Sequence, residues 1–239
     1  MSEASAPPVI LPFARLDLVR DPAPWAFAEA RRPAIDAHFD GMRAANPALW
    51  NGRVLLLARH AVSDGALSGA YCETDFASFM WWRDTGFPDP AIRNAFAMGA
   101  LSGSDGGFVL GRMAAWTANP GRIYFAAGTP EPGDVLPDGT VDLGGSVMRE
   151  LAEETGLGPD DVEAADAWHG VFDGPRIALM RRLVAPEPAE RVAARIREHI
   201  AREDRPELAD VVIARGPADI SDAMPRFIRA YLASVWQTS

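Results

Sequence analysis

The stretch RELAEETGL, residues 149–157, places one arginine and three glutamates within six positions and then reaches a glycine. On an α-helix, residues three and four apart share a face, so Glu150, Glu153 and Glu154 are predicted to lie on one flank. All three carboxylates also fall in the half of the helix where the macrodipole disfavours negative charge. The stretch therefore predicts a helix that carries an acidic cluster close to its carbonyl end.

The extent of this helix is predicted from its apolar residues and its flanks. Val147 and Leu151 are four residues apart and form a separate apolar stripe that can face a core. Gly156 suits the left-handed conformation that ends many helices, and Leu157 can pack back on the last turn. These signals predict one helix over residues 143–155.

Two interpretations of the acidic cluster are open from the residues. In the first, the helix surface is solvated and Arg149 forms an ion pair with Glu153, four residues on. In the second, the carboxylates bind a divalent cation, because Mg²⁺ favours oxygen ligands and completes its shell with waters and substrate phosphates. Repulsion between Glu150 and Glu154 near the helix C-terminus favours the cation site.

Composition narrows the classes of function. The formal net charge of -10 argues against a general binder of nucleic acid or of anionic membranes, since both need basic patches. All 23 basic residues are arginine, which excludes a P-loop lysine, a Schiff-base lysine and a lysine general base. Any substrate phosphates must therefore be held by arginine or by a metal ion.

The N-terminal sequence and the cysteine content predict a cytoplasmic protein. Residues 1–8 are interpreted as a loose leader without the pattern of a signal peptide. No apolar run reaches the roughly 18 residues that a membrane span needs. The single cysteine, Cys72, cannot form an internal disulfide and fits a reducing compartment. We expect a small-molecule partner, and neither a membrane nor a nucleic acid.

The remaining chain alternates helical and strand-like patterns, which predicts an α/β or α+β sandwich. The chain is expected to form a single domain, 1–239, with residues 1–105 as an N-terminal extension. The predicted helices are 23–47, 89–101, 188–203 and 221–236, the last capped by Ser221. The predicted strands are 53–59, 106–116, 122–127, 176–185 and 208–214, and an acidic connector follows the motif.

RELAEETGL resembles the second half of the Nudix box, G-x5-E-x7-R-E-U-x-E-E-x-G-U with U aliphatic, and matches it at every fixed position. The first half departs from the pattern. Gly128 is followed by five residues and then by Asp134, which stands in the place of the glutamate. Fourteen residues separate Asp134 from Arg149, where the box has seven. Residues 135–141 are therefore interpreted as an insertion, and are predicted to form an exposed loop.

The resemblance covers residues 106–214 and implies an α/β/α sandwich with a mixed sheet. It also implies a metal-dependent pyrophosphatase that hydrolyses a nucleoside diphosphate linked to another moiety, with Mg²⁺ or Mn²⁺ as the cofactor. Carried over to this sequence, Glu150 and Glu154 are the principal metal ligands and Glu153 is a supporting one. Arg149 then orients Glu150.

The resemblance implies further roles outside the helix. Gly128 lets the backbone approach the helix and the metal, and Asp134 belongs to the loop that faces the substrate. The general base in this family is often a carboxylate outside the box, and Glu203, Asp204 and Glu207 are candidates because they follow a long predicted helix in a polar turn. A homodimer is the usual arrangement.

The substrate has several candidates. Residues 46–59 and 69–84 are similar to the front part of the UDP-glucose-pyrophosphatase type of Nudix hydrolase, which favours a nucleotide sugar; the same residues are also explained by a helix stop and a hairpin turn. A CoA-type diphosphate hydrolase is an alternative, because some relatives acting on CoA carry insertions in the box. A non-catalytic nucleotide-sensing module is a third, although such a module is expected to lose the helix glutamates.

Other conspicuous residues are expected to be structural. The aromatic cluster of Phe76, Phe79, Trp81 and Trp82 could stack on a base or sugar, but core packing is favoured. The widely spaced histidines have no metal-ligand spacing and are predicted to lie at the surface or to cap helices: His60, His169 and His199.

Overall fold

A computed structural model describes residues 6–47 and 49–237, so most of the predicted leader lies outside the described residues. The strands are β1 (Val9–Phe13), β2 (Arg15–Asp21), β3 (Arg53–Ser63), β4 (Ala66–Asp75), β5 (Asn94–Ser102), β6 (Phe108–Met113), β7 (Ile123–Tyr124), β8 (Ala127–Gly128), β9 (Glu163–Asp173), β10 (Arg176–Val184) and β11 (Leu208–Ala214). The helices are α1 (Ala26–Glu29), α2 (Arg32–Ala45), α3 (Phe76–Asp84), α4 (Leu143–Thr155), α5 (Ala189–Ile200) and α6 (Arg226–Gln237).

The chain divides into two compact units, and each is discontinuous in sequence. The first unit contains the residues up to Ala14, Phe96–Gly128 and the chain from Gly144 onwards. The second unit contains Arg15–Ala95 and Thr129–Leu143. The prediction of a single domain with residues 1–105 as an extension stays a prediction.

The first unit is built on an eight-stranded sheet. Its strand order is β1-β9-β10-β5-β6-β11, with β7 paired to β6 and β8 paired to β5. The fold class is α/β with a large mixed sheet and helices, as the sequence predicts.

The side chains of β5 alternate between two helical layers. Phe96 and Met98 join the cluster of buried residues that contains Phe227 and Ile228 of α6. Gly99 faces the opposite way, since a Cβ there would lie 3.3 Å from Cγ1 of Val147 on α4. Successive residues of a strand point to opposite faces, so α6 covers one face of the sheet and α4 the other. Helix α5 also packs on the sheet, through β6 and β11.

The second unit has its own sheet and core. Its three strands have the order β2-β4-β3, with β2 parallel and β3 antiparallel to β4. Trp82 and Phe79 are buried in its core, and Phe76 and Trp81 pack against that core. The preference for core packing of this aromatic cluster is therefore confirmed.

Several predicted elements are wrong. The predicted helix at 89–101 is strand β5, and its side chains from Ala95 onwards are all buried. An element buried on both faces lacks the alternation that distinguishes a strand from a buried helix. The predicted helix at 23–47 is divided into α1 and α2, with Pro33 in the first turn of α2.

Three further differences concern elements that the sequence pattern missed or misplaced. The acidic connector contains β9, the longest strand that flanks α4, and β1 and β2 follow what was taken as a loose leader. Helix α6 begins at Arg226, so Ser221 does not cap it. The Ser221 hydroxyl is buried and has no hydrogen-bond partner among the described residues. None of the described helices is long and apolar enough to cross a membrane.

The segment 135–141 is only partly the exposed loop that was predicted. Its tip, residues 136–138, is exposed, but Val141 is buried and its N–H donates to the Leu18 carbonyl at 2.9 Å. The Arg20 N–H donates to the Gly139 carbonyl at 2.8 Å. Backbone groups need partners, and this segment supplies them to the otherwise open edge of β2. The insertion is thus a pairing element of the second unit.

Candidate functional site

Helix α4 has the predicted extent, Leu143–Thr155, and the predicted ending. Gly156 adopts a φ of +71°, and its N–H donates to the Ala152 carbonyl at 2.9 Å. Leu157 is buried behind the last turn. A left-handed glycine followed by a buried apolar residue is a common helix stop, and it places the acidic residues in the last two turns.

Two of the three glutamates lie against the short strand β8. Glu154 is only 6% exposed, and its Oε1 accepts a hydrogen bond of 3.1 Å from the Ala127 N–H. Glu150 is adjacent, with a side chain that is 15% exposed. A Cβ on Gly128 would lie 2.0 Å from Oε1 of Glu150, so only glycine allows this approach of strand and carboxylate. The predicted contact between Gly128 and the helix is therefore present.

Arg149 lies beside Glu150 and also pairs with Glu153. Its Nη1 donates to Oε1 of Glu150 at 2.8 Å and to Oε2 of Glu153 at 3.3 Å. The Glu153 side chain is 60% exposed. The interpretation as a solvated helix describes Glu153, which forms an exposed ion pair with Arg149. The interpretation as a cation site is consistent with Glu150, whose partly shielded carboxylate is held in place by the same arginine.

The three glutamates of α4 differ in their surroundings, and their predicted role as a shared set of metal ligands stays a prediction. In the described part of the chain, no three or more histidine, cysteine, aspartate or glutamate side chains form a group that could hold a metal ion. Glu153 is mostly exposed, whereas Glu150 and Glu154 face β8. The structure therefore places two of the three helix carboxylates beside this strand.

The electrostatics of the pair disfavour ionisation. Burial raises the pKa of Glu154 to about 8, against the Ala127 hydrogen bond that lowers it, and the charges of Glu150 and Glu207 raise it further. Burial also raises the pKa of Glu150 to about 7, and Arg149 opposes that shift. Two carboxylates that share a poorly solvated place cannot both ionise easily. A bound cation would favour the ionised form of both carboxylates.

Glu207 is the third carboxylate of this region. It was one of three candidates in the polar turn after α5, and it lies directly before β11, where the Ala114 N–H donates to its carbonyl at 2.8 Å. Burial raises the pKa of Glu207, and its charge raises the pKa of both Glu150 and Glu154. Its proximity follows from the pairing of β11 with β6, which the sequence could not show.

Tyr124 of β7 was not singled out from the sequence. Burial raises the pKa of its phenol, and the charges of Glu154, Glu207 and Glu150 raise it further. The Asn119 side-chain amide donates to its hydroxyl at 3.4 Å. A lone tyrosine in a strand pattern carries no sequence signal for this position.

His199 caps the acidic helix, as the prediction of a surface or capping histidine allowed. Its Nε2 lies 3.2 Å from the Glu153 carbonyl at the end of α4, so the proton must sit on that nitrogen. Its Nδ1 would lie 2.6 Å from a Cβ on Gly156. The imidazole therefore leaves no room for a side chain at residue 156, which is another reason why glycine is required there.

Asp134 belongs to the second unit and has a local role there. Its Oδ2 accepts a hydrogen bond of 2.9 Å from the Glu131 N–H, which closes a short 3-10 turn over Pro132–Asp134. The Asp142 N–H donates to its carbonyl at 2.8 Å. Its predicted part in a substrate loop stays a prediction.

Comparison with known proteins gives distant structural neighbours. No protein family and no curated protein matches the sequence. The chain is similar to the Nudix hydrolase RenU of M. smegmatis, at 13% identity over 60% of this chain and 83% of that one, with a TM-score of 0.38. It is also similar to the MutT protein of Methanosarcina mazei Go1, at 15% identity over 61% of this chain and 94% of that one, with a TM-score of 0.37. The chemistry below therefore rests on the residues of the site.

Proposed function

We propose that the first unit is a metal-dependent pyrophosphatase that hydrolyses a nucleoside diphosphate linked to another moiety. The observation that carries this proposal is the pair of shielded glutamates, Glu150 and Glu154, held against the glycine backbone of β8. Burying two carboxylates side by side is unfavourable for a merely structural helix. Binding of a cation, followed by an anionic substrate, would offset the repulsion between the two carboxylates.

The residues present fit a divalent cation. Their donors are carboxylate oxygens, which Mg²⁺ and Mn²⁺ prefer, and the absence of a side chain at Gly128 leaves the Glu150 carboxylate close to open backbone. Glu150 and Glu154 would hold the ion, and Glu207 is near enough to influence both. When bound, such a cation neutralises diphosphate charge and makes a water more acidic for attack at phosphorus.

The protein's own side chains then have distinct tasks. Arg149 holds the Glu150 carboxylate in one orientation through its 2.8 Å hydrogen bond, and the Ala127 N–H does the same for Glu154. Glu207 is the proposed proton acceptor for the attacking water, because burial raises the pKa of its carboxyl and makes the carboxylate a stronger base. Glu153 is exposed and supports the site through Arg149.

The substrate within this class stays open between a nucleotide sugar and a CoA-type diphosphate. A nucleotide-sensing module without catalysis is less consistent with the site, because sensing alone does not need two shielded carboxylates beside a third acidic group. The three possibilities differ in what they release from a substrate panel.

The decisive experiment is a hydrolysis screen. UDP-glucose, ADP-ribose and CoA are incubated with the protein and Mg²⁺ or Mn²⁺, and the monophosphate products are separated from the intact substrate and measured by chromatography. Glu150→Gln and Glu154→Gln should abolish turnover, while Glu198→Gln, on the exposed face of α5, should not change it. Absence of turnover on every compound with both metals, or equal turnover in all three variants, would refute the proposal.

A further inference from the structure

Trp116 and Arg205 form a stacked pair on two neighbouring loops of the first unit. Trp116 lies in the loop after β6 and is 37% exposed, although most large apolar side chains of this unit are buried. The Arg205 guanidinium carbon lies 4.2 Å from the centroid of the indole ring. The indole Nε1 donates to the Pro206 carbonyl at 3.1 Å, which ties the two loops together. The pair is thus fixed from both sides.

This pair adjoins the acidic region. Arg205 and Pro206 immediately precede Glu207, whose carbonyl accepts from the Ala114 N–H two residues before Trp116. The charge of Glu207 in turn acts on Glu150 and Glu154. The Ala114–Glu207 hydrogen bond therefore holds the indole and the guanidinium on the two segments that meet at Glu207.

The chemistry of the pair indicates a planar ligand group. Indole and guanidinium are flat, and both stack on aromatic heterocycles. In the described part of the chain Arg205 forms no ion pair, so its guanidinium is committed to the indole ring rather than to a carboxylate. An arginine stacked on a half-exposed tryptophan presents a flat, positively charged surface beside an acidic region.

We propose that Trp116 and Arg205 bind the nucleobase of the substrate by stacking. This inference rests on the proposed function, because it assigns the base end of the same nucleoside diphosphate. It also fixes a specificity: an aromatic base is required for tight binding, whereas the sugar or other moiety at the far end of the diphosphate is not read by these two residues.

The test measures binding without catalysis. Dissociation constants of AMP, UMP and ribose 5-phosphate are measured by calorimetry for the wild-type protein and for Trp116→Leu, Trp116→Phe and Arg205→Gln. Base–aromatic stacking should make AMP or UMP bind about tenfold or more tighter than the base-free ribose 5-phosphate in the wild type. Trp116→Leu should remove most of that difference, and Arg205→Gln should reduce it.

Two variants separate stacking from structural effects. Trp116→Phe keeps an aromatic face but loses the hydrogen bond to Pro206, so it should retain most of the preference for a base. Trp50→Leu changes a tryptophan that is 79% exposed in the second unit and should leave all three constants unchanged. If Trp116→Leu proves unfolded by circular dichroism, Arg205→Gln and Trp116→Phe carry the test.

The outcomes are clear-cut and independent of hydrolysis. A wild-type protein that binds the base-free phosphate as tightly as AMP and UMP overturns the inference. So does an unchanged base preference in Trp116→Leu, or a loss in Trp116→Phe as large as that in Trp116→Leu, which would assign the effect to the tether. A base preference that depends on Trp116 in a protein without hydrolytic activity would support this site and refute the pyrophosphatase.

Discussion

Gly128 lies so close to Glu150 that a Cβ on the glycine would meet the carboxylate oxygen at 2.0 Å. Gly128→Ala should therefore displace the Glu150 carboxylate. Under the proposed function Glu150 is a metal ligand, so turnover should fall by at least about tenfold, because misplacement by an ångström weakens catalysis strongly. Hydrolysis of the substrate found in the screen, at saturating Mg²⁺, provides the measurement.

A matched glycine substitution provides the control for this variant. Gly216 has an extended backbone, and a Cβ there meets no atom within 4 Å. Gly216→Ala should keep full activity. Equal activities of the two alanine variants would mean that the close approach at Gly128 has no part in catalysis.

Glu154→Gln should change how stability depends on pH. The pKa of Glu154 is raised to about 8 in the folded protein, from an ordinary value of 4.5. A carboxyl with a raised folded pKa stabilises the fold fully below its unfolded pKa, and that contribution is lost as pH rises through the folded pKa. The free energy of unfolding should thus fall between about pH 5 and pH 8 in the wild type, and by roughly 2–4 kcal/mol less in Glu154→Gln.

Urea unfolding at a series of pH values, with and without Mg²⁺, measures this effect. Added Mg²⁺ should stabilise the wild type most at the alkaline end, where the carboxylates are ionised, and should stabilise Glu154→Gln little. Glu198→Gln provides an exposed glutamate for comparison. Parallel pH profiles for all three proteins would assign Glu154 no special environment.

Glu207→Gln should reduce kcat by roughly 10²–10⁴-fold with little change in KM, if its carboxylate accepts the proton of the attacking water. Glu203→Gln offers a control from the same turn, because Glu203 pairs with His199 on the outer surface and should reduce kcat far less. An equal decrease in the two variants would show that only the summed negative charge of the turn matters. The pH profile of kcat/KM separates the cases, since only loss of the acceptor should abolish its acidic limb.

His199→Ala should destabilise the protein by about 1 kcal/mol, because the Glu153 carbonyl at the end of α4 loses its donor. His199→Gln keeps an N–H donor at a similar reach and should recover part of the loss. Thermal unfolding of the two variants gives the comparison. If His199→Ala is as stable as the wild type, the Glu153 carbonyl is hydrogen-bonded equally well by water.

Replacing residues 136–140 by two glycines should lower the unfolding temperature. The Val19–Thr140 bridge consists of two hydrogen bonds, from the Arg20 N–H to Gly139 and from the Val141 N–H to Leu18. The change removes the first of them, worth about 1 kcal/mol, and loosens the second. Leu136→Ser, at the exposed tip, should leave the unfolding temperature unchanged. If the shortened protein is as stable as the wild type, the pairing along β2 contributes nothing.

The sequence predicted α4 to the residue because its signals are local. Carboxylate spacing, the apolar stripe and the glycine stop all lie within one short stretch, and helix geometry converts them directly into positions in space. The contact of Gly128 with Glu150 was also predicted, since it came with the same motif. Strand β5 was predicted as a helix because it is buried on both faces, so its sequence lacks the alternation of apolar and polar residues that identifies a strand.

The rest of the site depends on pairings between distant segments, which a single sequence does not encode locally. Glu207 is brought near α4 by the pairing of β11 with β6, and Tyr124 by the pairing of β7 with β6. For Glu153 the local pattern was not sufficient. Its spacing correctly placed it on the acidic side of α4, but helix geometry alone does not decide which of the glutamates on that side is exposed to solvent. The fold class could therefore be predicted from the alternation of strands and helices, whereas the composition of the site depends on strand pairing that the sequence pattern does not show.

The path of the chain has a consequence for synthesis. Strand β1 pairs with β9, which begins only at Glu163, and the whole second unit is made between these two strands. While the ribosome is still producing the second unit, β1 has an unpaired edge and an exposed apolar face. The second unit in turn receives its last segment, Thr129–Leu143, only after part of the first unit has emerged. All residues of the second unit have been made at Leu143, whereas the first unit still lacks everything from Gly144 onwards. A ribosome that stalls before β9 therefore releases a chain whose first unit has no finished sheet.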